Sequence, residues 1–347
     1  MKKKILLLLG LLVLMFSSCE KTFMADDVEN TPNANFNYLW QQVNEHYSLF
    51  DVKNVDWQAV YDSLSPKVND AMSEDALFDV MRSMLNPLND GHVNLIANYD
   101  ASHCDSIYYH FYKDGGIDNN AIILNYLGLH YHTTGGFIHG GLCDGKVAYV
   151  SYQSFSSSIS YNGLVYLLST YANAEGMILD LRGNGGGSIN NIYIILSVMP
   201  SHGQKLYSSQ IKNGKGHDDF GPLQDTYAPD SSSLRWNKPV YVLIDRGCFS
   251  ATSMFAISTM AYDNMTLMGD TTSGGLGLPI MGYLPNGWRY RFPVTRVFAI
   301  DGKNYENGVP PQIPLKFDRQ LMQQQGRDNI IDSACALISG QHSKLAR

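Results

Sequence analysis

Met177-Ile178-Leu179-Asp180-Leu181-Arg182-Gly183-Asn184-Gly185-Gly186-Gly187 runs from an apolar segment straight into a glycine-rich turn, and residues 189–198 then repeat apolar side chains at helical spacing. Strand, turn and helix in succession are the unit from which α/β folds are built. Glycines in such a turn accept positive φ, so backbone N–H groups can converge on an anion. A phosphate cradle is one use of that geometry, but the Walker lysine is absent and the dinucleotide fingerprint needs glycine where Ser188 stands. A tight structural turn is the plainer use.

The same rhythm continues on both sides. Residues 147–152 read as a strand, 164–171 as a helix, 240–244 as a strand, 251–261 as a helix and 265–269 as a strand. The run Val240-Tyr241-Val242-Leu243-Ile244 is apolar throughout, as expected where helices cover both faces of a sheet. The fold class is therefore α/β. Upstream, Leu39, Trp40, Val43, Tyr47 and Phe50, then Trp57, Val60, Tyr61 and Leu64, then Leu77, Val80, Met81, Met84 and Leu85 recur at three- and four-residue steps. Three amphipathic helices are implied, the third capped by Ser73 and stopped by Pro87. Residues 281–298 alternate around Pro285-Asn286-Gly287 and predict a β-hairpin. Residues 318–339 read as helical, whereas 201–236 is long and polar and reads as a loop.

The chain has 347 residues, 44% hydrophobic and 16% charged, which supports packed cores and excludes disorder. With 25 Lys and Arg against 32 Asp and Glu, the formal charge of −7 supplies no basic field for a phosphate backbone, which excludes nucleic acid as a partner. Lys2, Lys3 and Lys4 precede an apolar run from Ile5 to Phe16, followed by Ser17-Ser18-Cys19. That run is far shorter than the roughly 20 residues of a spanning helix, so residues 1–18 read as an export signal. Small residues before a cysteine resemble a bacterial lipoprotein signal, which implies lipidation of Cys19, a membrane partner through that anchor and a place in the cell envelope. Residues 19–35 are polar and read as a flexible linker. Cys104, Cys143, Cys248 and Cys335 remain; none has metal-ligand spacing, and four cysteines allow three disulfide pairings.

Ser250 follows a second strand and turn, Val242 to Phe249, and opens a helix. Two readings stand: an N-cap, or a nucleophile whose charge the helix N-terminus stabilises. The elbow pattern G-x-S-x-G is not matched, and Cys248 reads as a small buried residue rather than a nucleophile. A serine nucleophile needs a base, and His92 in Leu88-Asn89-Asp90-Gly91-His92-Val93 lies between the helical region and the strands, where a structural histidine is the alternative. His130 and His132 alternate on an expected strand but lack a third metal ligand nearby. Glu306, in Tyr305-Glu306-Asn307-Gly308-Val309-Pro310-Pro311, reads as an exposed turn residue unless it has company.

In this order, over residues 36–330, the segments resemble the S41 serine peptidases, the family of C-terminal processing proteases and the tricorn core peptidase. The resemblance rests on Leu88 to His92, on Asp180 to Gly187, and on the strand leading to Ser250-Ala251; Gly269-Asp270-Thr271-Thr272-Ser273-Gly274-Gly275 and Glu306 to Pro310 add to it. It implies a crotonase-like core with an N-terminal helical subdomain: signal 1–18, linker 19–35, helical subdomain 36–95, strand-rich connecting segment 96–146, peptidase core 147–330, and helix and tail 331–347. Processing proteases use a lysine where this chain has Gly275, so the resemblance points to the tricorn-like branch, with Ser250 as nucleophile, His92 as base and Glu306 as the C-terminal glutamate. Gly186 and Ala251 would then offer their N–H groups to the oxyanion. The serine that orients the histidine in that branch is Gly91 here, which leaves Glu306, Asp90 or a backbone carbonyl for the task. Between His92 and the core, residues 94–146 are too few for the PDZ module many members carry. The implied activity is endopeptidic cleavage of a peptide or protein substrate without a cofactor. The alternative is a catalytically silent peptide- or ligand-binding lipoprotein on the same scaffold. Oligomeric state is left open.

Overall fold

The computed structural model describes residues 29–104, 116–230 and 233–340. The expected signal, Cys19 and most of the linker lie outside the described residues. The chain divides into two compact units, one holding residues up to 108 together with 211–221 and 277–295, the other holding the remainder.

The first unit opens with α1 (Pro32–His46), α2 (Trp57–Leu64) and α3 (Glu74–Leu85), followed by β1 (Asn94–Ile96). Thr31 caps α1 through the Ala34 N–H and Pro32 fills the first turn, so helix begins before the expected end of the linker at residue 35. Ser73 caps α3 as its sequence predicts. The apolar stripes of these helices meet: Phe36, Leu39 and Val43 of α1, Trp57 of α2, and Leu77, Met81 and Leu85 of α3 share one core.

The chain then builds the second unit with α4 (Asn119–Leu127), β2 (His132–Thr134), β3 (Phe137–Leu142), β4 (Val147–Tyr152), α5 (Tyr161–Thr170), β5 (Gly176–Asp180), α6 (Ile189–Leu196), β6 (Lys205–Ile211) and β7 (Gln224–Tyr227). β8 (Val240–Ile244), α7 (Ala251–Thr259) and β9 (Met265–Gly269) follow. The hairpin β10 (Pro279–Tyr283) and β11 (Arg289–Pro293) belongs to the first unit, where β11 pairs antiparallel with β1 and contributes Tyr290 and Phe292 to the helical core. The expected core of 147–330 is thus interrupted. Partner choice explains this, because a hairpin's own turn sets its register but not which third strand it joins. β12 (Thr295–Ala299), β13 (Ile313–Pro314), α8 (Arg319–Gln325) and α9 (Asn329–Ile338) complete the second unit.

Its main sheet has seven strands in the order β13-β9-β8-β5-β4-β3-β2, parallel from β13 to β4 and antiparallel from β4 to β2. Alternate residues face opposite layers. Ala148, Val150, Met177, Leu179, Val240 and Val242 pack with α5, α6 and α7, while Tyr149, Ile178 and Leu243 pack with Ile122 of α4 and Ile330 and Ile331 of α9. Helices on both faces explain why these strands carry no polar alternation. The expected strand-rich stretch 96–146 contains a helix, α4, and the expected loop 201–236 contains β6 and β7, which form a small sheet with β12. Their polar sequences hid the pairing. Among the described residues no helix is long and apolar enough to cross a membrane.

Candidate active site

β5 and β8 are parallel neighbours with Asp180 beside Leu243, so the two turns that the sequence singled out leave adjacent strand ends. Asp245 binds them together: its Oδ1 accepts from Gly183 N–H at 2.8 Å and from Gly247 N–H at 2.9 Å. Asn184 does more. It is fully buried, and its Oδ1 accepts from Gly186 N–H at 2.9 Å and Thr252 Oγ1–H at 2.8 Å while its Nδ2 donates to Tyr152 O at 2.7 Å. Its backbone carbonyl accepts from Phe249 N–H at 3.1 Å. Gly186 has φ +100°, and a Cβ there would stand 2.8 Å from Ser250 Cβ and 2.9 Å from Ala251 N. Glycine is required at that point because the other turn lies directly against it.

Ser250 sits at φ +57° and ψ −122°, a region that residues with a Cβ rarely occupy, and its side chain does not cap α7. Ser250 is therefore not a conventional N-cap, which would adopt extended backbone and bond the helix N–H groups. The backbone holds the strained position from both sides, since Ser250 N–H donates to Gly274 O and Ser250 O accepts from Met254 N–H, each at 2.9 Å. Ala251 begins the helix, where N–H groups point outward from the first turn. The Gly186 N–H is directed at Asn184 Oδ1 in this structure.

Gly274 and Gly275 connect Ser250 to Glu306. Gly275 N–H donates to Glu306 O at 3.1 Å, and the Glu306 carboxylate accepts from Leu276 N–H at 2.8 Å. Glu306 is only 2% exposed, not the exposed turn residue its local sequence suggests. Thr272 Oγ1 joins the same strap, accepting from Val309 N–H at 3.0 Å. At Gly275, φ is +74° and a Cβ would lie 2.2 Å from the Phe249 ring, so the position that carries lysine in processing proteases has no room here for a side chain.

Below the turns, Arg182 is fully buried between two carboxylates, with Nε and Nη2 on Asp180 at 2.8 and 2.6 Å and Nη1 on Asp328 at 2.7 Å. Burial opposes its charge, but Asp180 and Asp328 outweigh that cost and hold it protonated. Asp328 also caps α9, through Ile330 and Ile331 N–H. Cys248 is inaccessible and donates to Leu181 O at 3.1 Å; burial, then Asp245, pushes its thiol well above the usual range, which fits an inert residue. His132 stacks on His139, which bonds Thr134 and Tyr171, and His130 precedes the strand instead of sharing it. Among the described residues no group of three His, Cys, Asp or Glu could hold a metal ion.

In the first unit, His92 is 2% exposed. Asp90 Oδ1 accepts the His92 backbone N–H at 2.8 Å and Asp90 Oδ2 accepts from Tyr47 Oη–H at 2.9 Å, so this carboxylate fixes the chain beneath the ring. The ring itself bonds the backbone of Gly277. A backbone group is one of the three orienting groups left open by Gly91, and Asp90 also acts on the ring through its charge. Burial lowers the pKa of His92 from 6.5 to about 4 against the attraction of Asp90, leaving a neutral imidazole at pH 7.

The model of peptidase family S41 matches residues 146–315, and that of the tricorn protease C1 domain matches residues 29–86. A candidate peptidase from Parabacteroides merdae ATCC 43184 superposes with a TM-score of 0.83 at 36% identity, over 89% of this chain and 97% of that one. This chain belongs to peptidase family S41. S41 is a family of serine hydrolases, and the carboxy-terminal processing protease CtpA of Bacillus subtilis (strain 168) is 26% identical over 141 residues, 40% of this chain. The match spans only 28% of that relative's length. Mature CPAF shares the fold, with a TM-score of 0.66 at 12% identity over 90% of this chain and 98% of its own. For this S41 member the sequence reading missed Asn184, Asp245 and Asp328. Asn184 stood inside the quoted run, and a lone amide among four glycines was the available signal.

Proposed function

We propose that this protein is a serine endopeptidase that cleaves peptide or protein substrates through a Ser250 acyl-enzyme, with His92 as general base. The observation that carries the reading is the backbone of Ser250, which holds a serine at positive φ at the mouth of α7 without letting it cap the helix. A hydroxyl presented this way is a nucleophile's arrangement, and strain of this kind clusters at functional sites.

In the proposed mechanism, the neutral imidazole accepts the Ser250 proton as Oγ attacks the carbonyl carbon. The oxyanion forms beside the start of α7, where Ala251 N–H and the helix dipole stabilise it. Gly186 N–H is the second donor, and it takes that part by exchanging its bond to Asn184 Oδ1 for one to the oxyanion. The protonated imidazole then returns its proton to the leaving amine, and water repeats the attack on the acyl-enzyme. Glu306 acts as a positioning residue through Leu276 and Gly275. We further propose a crotonase-like arrangement for the core, and an envelope protein lipidated at Cys19, a reading supported by the sequence pattern of residues 1–19.

A fluorophosphonate probe tests the assignment. The expected result is one stoichiometric adduct on Ser250, absent in Ser250→Ala, with hydrolysis of a peptide library falling about a thousandfold or more in that variant. A folded protein that takes no adduct and cuts no peptide is instead the silent binding protein.

A further inference from the structure

The described cysteines differ sharply in setting. Cys104 donates to Asn89 Oδ1 in the first unit, and Cys248 donates to Leu181 O beneath the catalytic turns of the second. Cys143 and Cys335 instead line the same open cavity of about 480 Å³, together with Asn125, Tyr126, Arg327 and Asp332. Their thiols lie within hydrogen-bonding reach and are both free.

Cys143 occupies the turn between β3 and β4 at φ +53°, followed by Asp144 at +56° and Gly145 at +82°. Asparagine or glycine would fit such a left-handed position more cheaply, so the turn itself does not call for a cysteine. It is exposed, while Cys335 is buried on α9. One thiol is reachable by a solution oxidant and the second waits behind it.

We infer that Cys143 and Cys335 form a regulatory disulfide, made by exchange with a low-molecular-weight or protein disulfide. Of the three pairings that four cysteines allow, this contact selects the one joining these two. The Cys143 thiolate attacks the oxidant's disulfide and displaces one thiolate, giving a mixed disulfide. Deprotonated Cys335 then attacks the Cys143 sulfur and displaces the second thiolate. Two cysteine thiols are oxidised, one external disulfide is reduced to two thiols, and the two protons pass to the released thiolates. Burial first, then the neighbouring Cys143 and Asp332, raise the Cys335 pKa, so Cys335 is the later of the two thiols to react.

The bond ties the β3–β4 turn to α9. That helix begins at Asp328, which holds Arg182 at the base of the glycine-rich turn. Oxidation therefore clamps the far end of the element that anchors the catalytic turn, whether or not the peptidase assignment holds.

The full chain, treated with oxidised glutathione or with dithiothreitol, provides the test. Intact mass should fall by two hydrogens in the oxidised sample, and a non-reducing digest should yield the Cys143–Cys335 crosslinked peptide. Tm should rise by about 5–10 °C on oxidation, and the rise should vanish in Cys143→Ser, an exposed substitution that spares the core. Cys335→Ser should stop at a stable glutathione adduct on Cys143. A lasting adduct on Cys143 in the unsubstituted chain, full alkylation of both thiols after oxidation, or a crosslink to a different cysteine would each overturn the inference.

Discussion

Ser250 and His92 lie in different units and are prepared in opposite ways. Ser250 is half-buried at a strand end, and its preparation is conformational: a positive φ kept in place by Gly274, Met254 and the close backbone of Gly186. His92 lies in the hydrophobic first unit, and its preparation is electrostatic: burial removes the proton that water would leave on it at mild acidity. One unit stores backbone strain and the other stores desolvation. The first acts through conformation and the second through the loss of solvent.

The contrast can be broken most forcefully at Asn184. Asn184→Ala deprives Gly186 N–H and the Thr252 hydroxyl of their acceptor and Tyr152 O of its donor, all in the interior. A loss of about 3–5 kcal/mol in urea unfolding is expected, with a fall in peptidase activity larger than the fraction unfolded accounts for. Activity surviving at the level of folded protein would mean that the strained serine does not need this hub.

The electrostatic side is sharpened by pH. A histidine whose folded pKa is about 4 against 6.5 unfolded leaves the unfolded chain binding more protons between those values, so its contribution to stability is lost as pH falls from 6.5 towards 4. The amount is about 3 kcal/mol. Urea midpoints of the wild type should drop across that window more steeply than those of His92→Gln. The acid limb of kcat/KM should lie nearer pH 4–5 than 6.5.

The smallest effect belongs to the strain itself. Ser250→Gly relieves a positive φ and should stabilise the fold by about 1 kcal/mol, a rise of a few degrees in Tm, while abolishing labelling. A destabilised glycine variant would show that the serine side chain holds its surroundings more than the backbone strains them.

The sequence made some of this legible because some of it is local. Helical stripes at residues 36–85, the cap at Ser73, the hairpin turn at Asn286-Gly287 and the strand–turn–helix units all arise from neighbours a few positions apart. Gln224–Tyr227 was not legible, because four polar residues become a strand only when β6 offers its edge. Glu306 shows the same limit, since nothing in a turn of Asn, Gly and Pro announces that its carboxylate is buried against Leu276 N–H. Nor does the run Gly185-Gly186-Gly187 tell which amide an asparagine two residues earlier will engage.

What the sequence determined by itself was the order of elements and the chemical identities at two strand ends, because periodicity and turn propensity act over a few residues. Tertiary structure alone decided the protonation of His92, the backbone of Ser250, the burial of Glu306 and the meeting of Cys143 with Cys335. Those properties depend on desolvation and close approach between segments far apart in the chain, and each came from which surfaces the fold brought together.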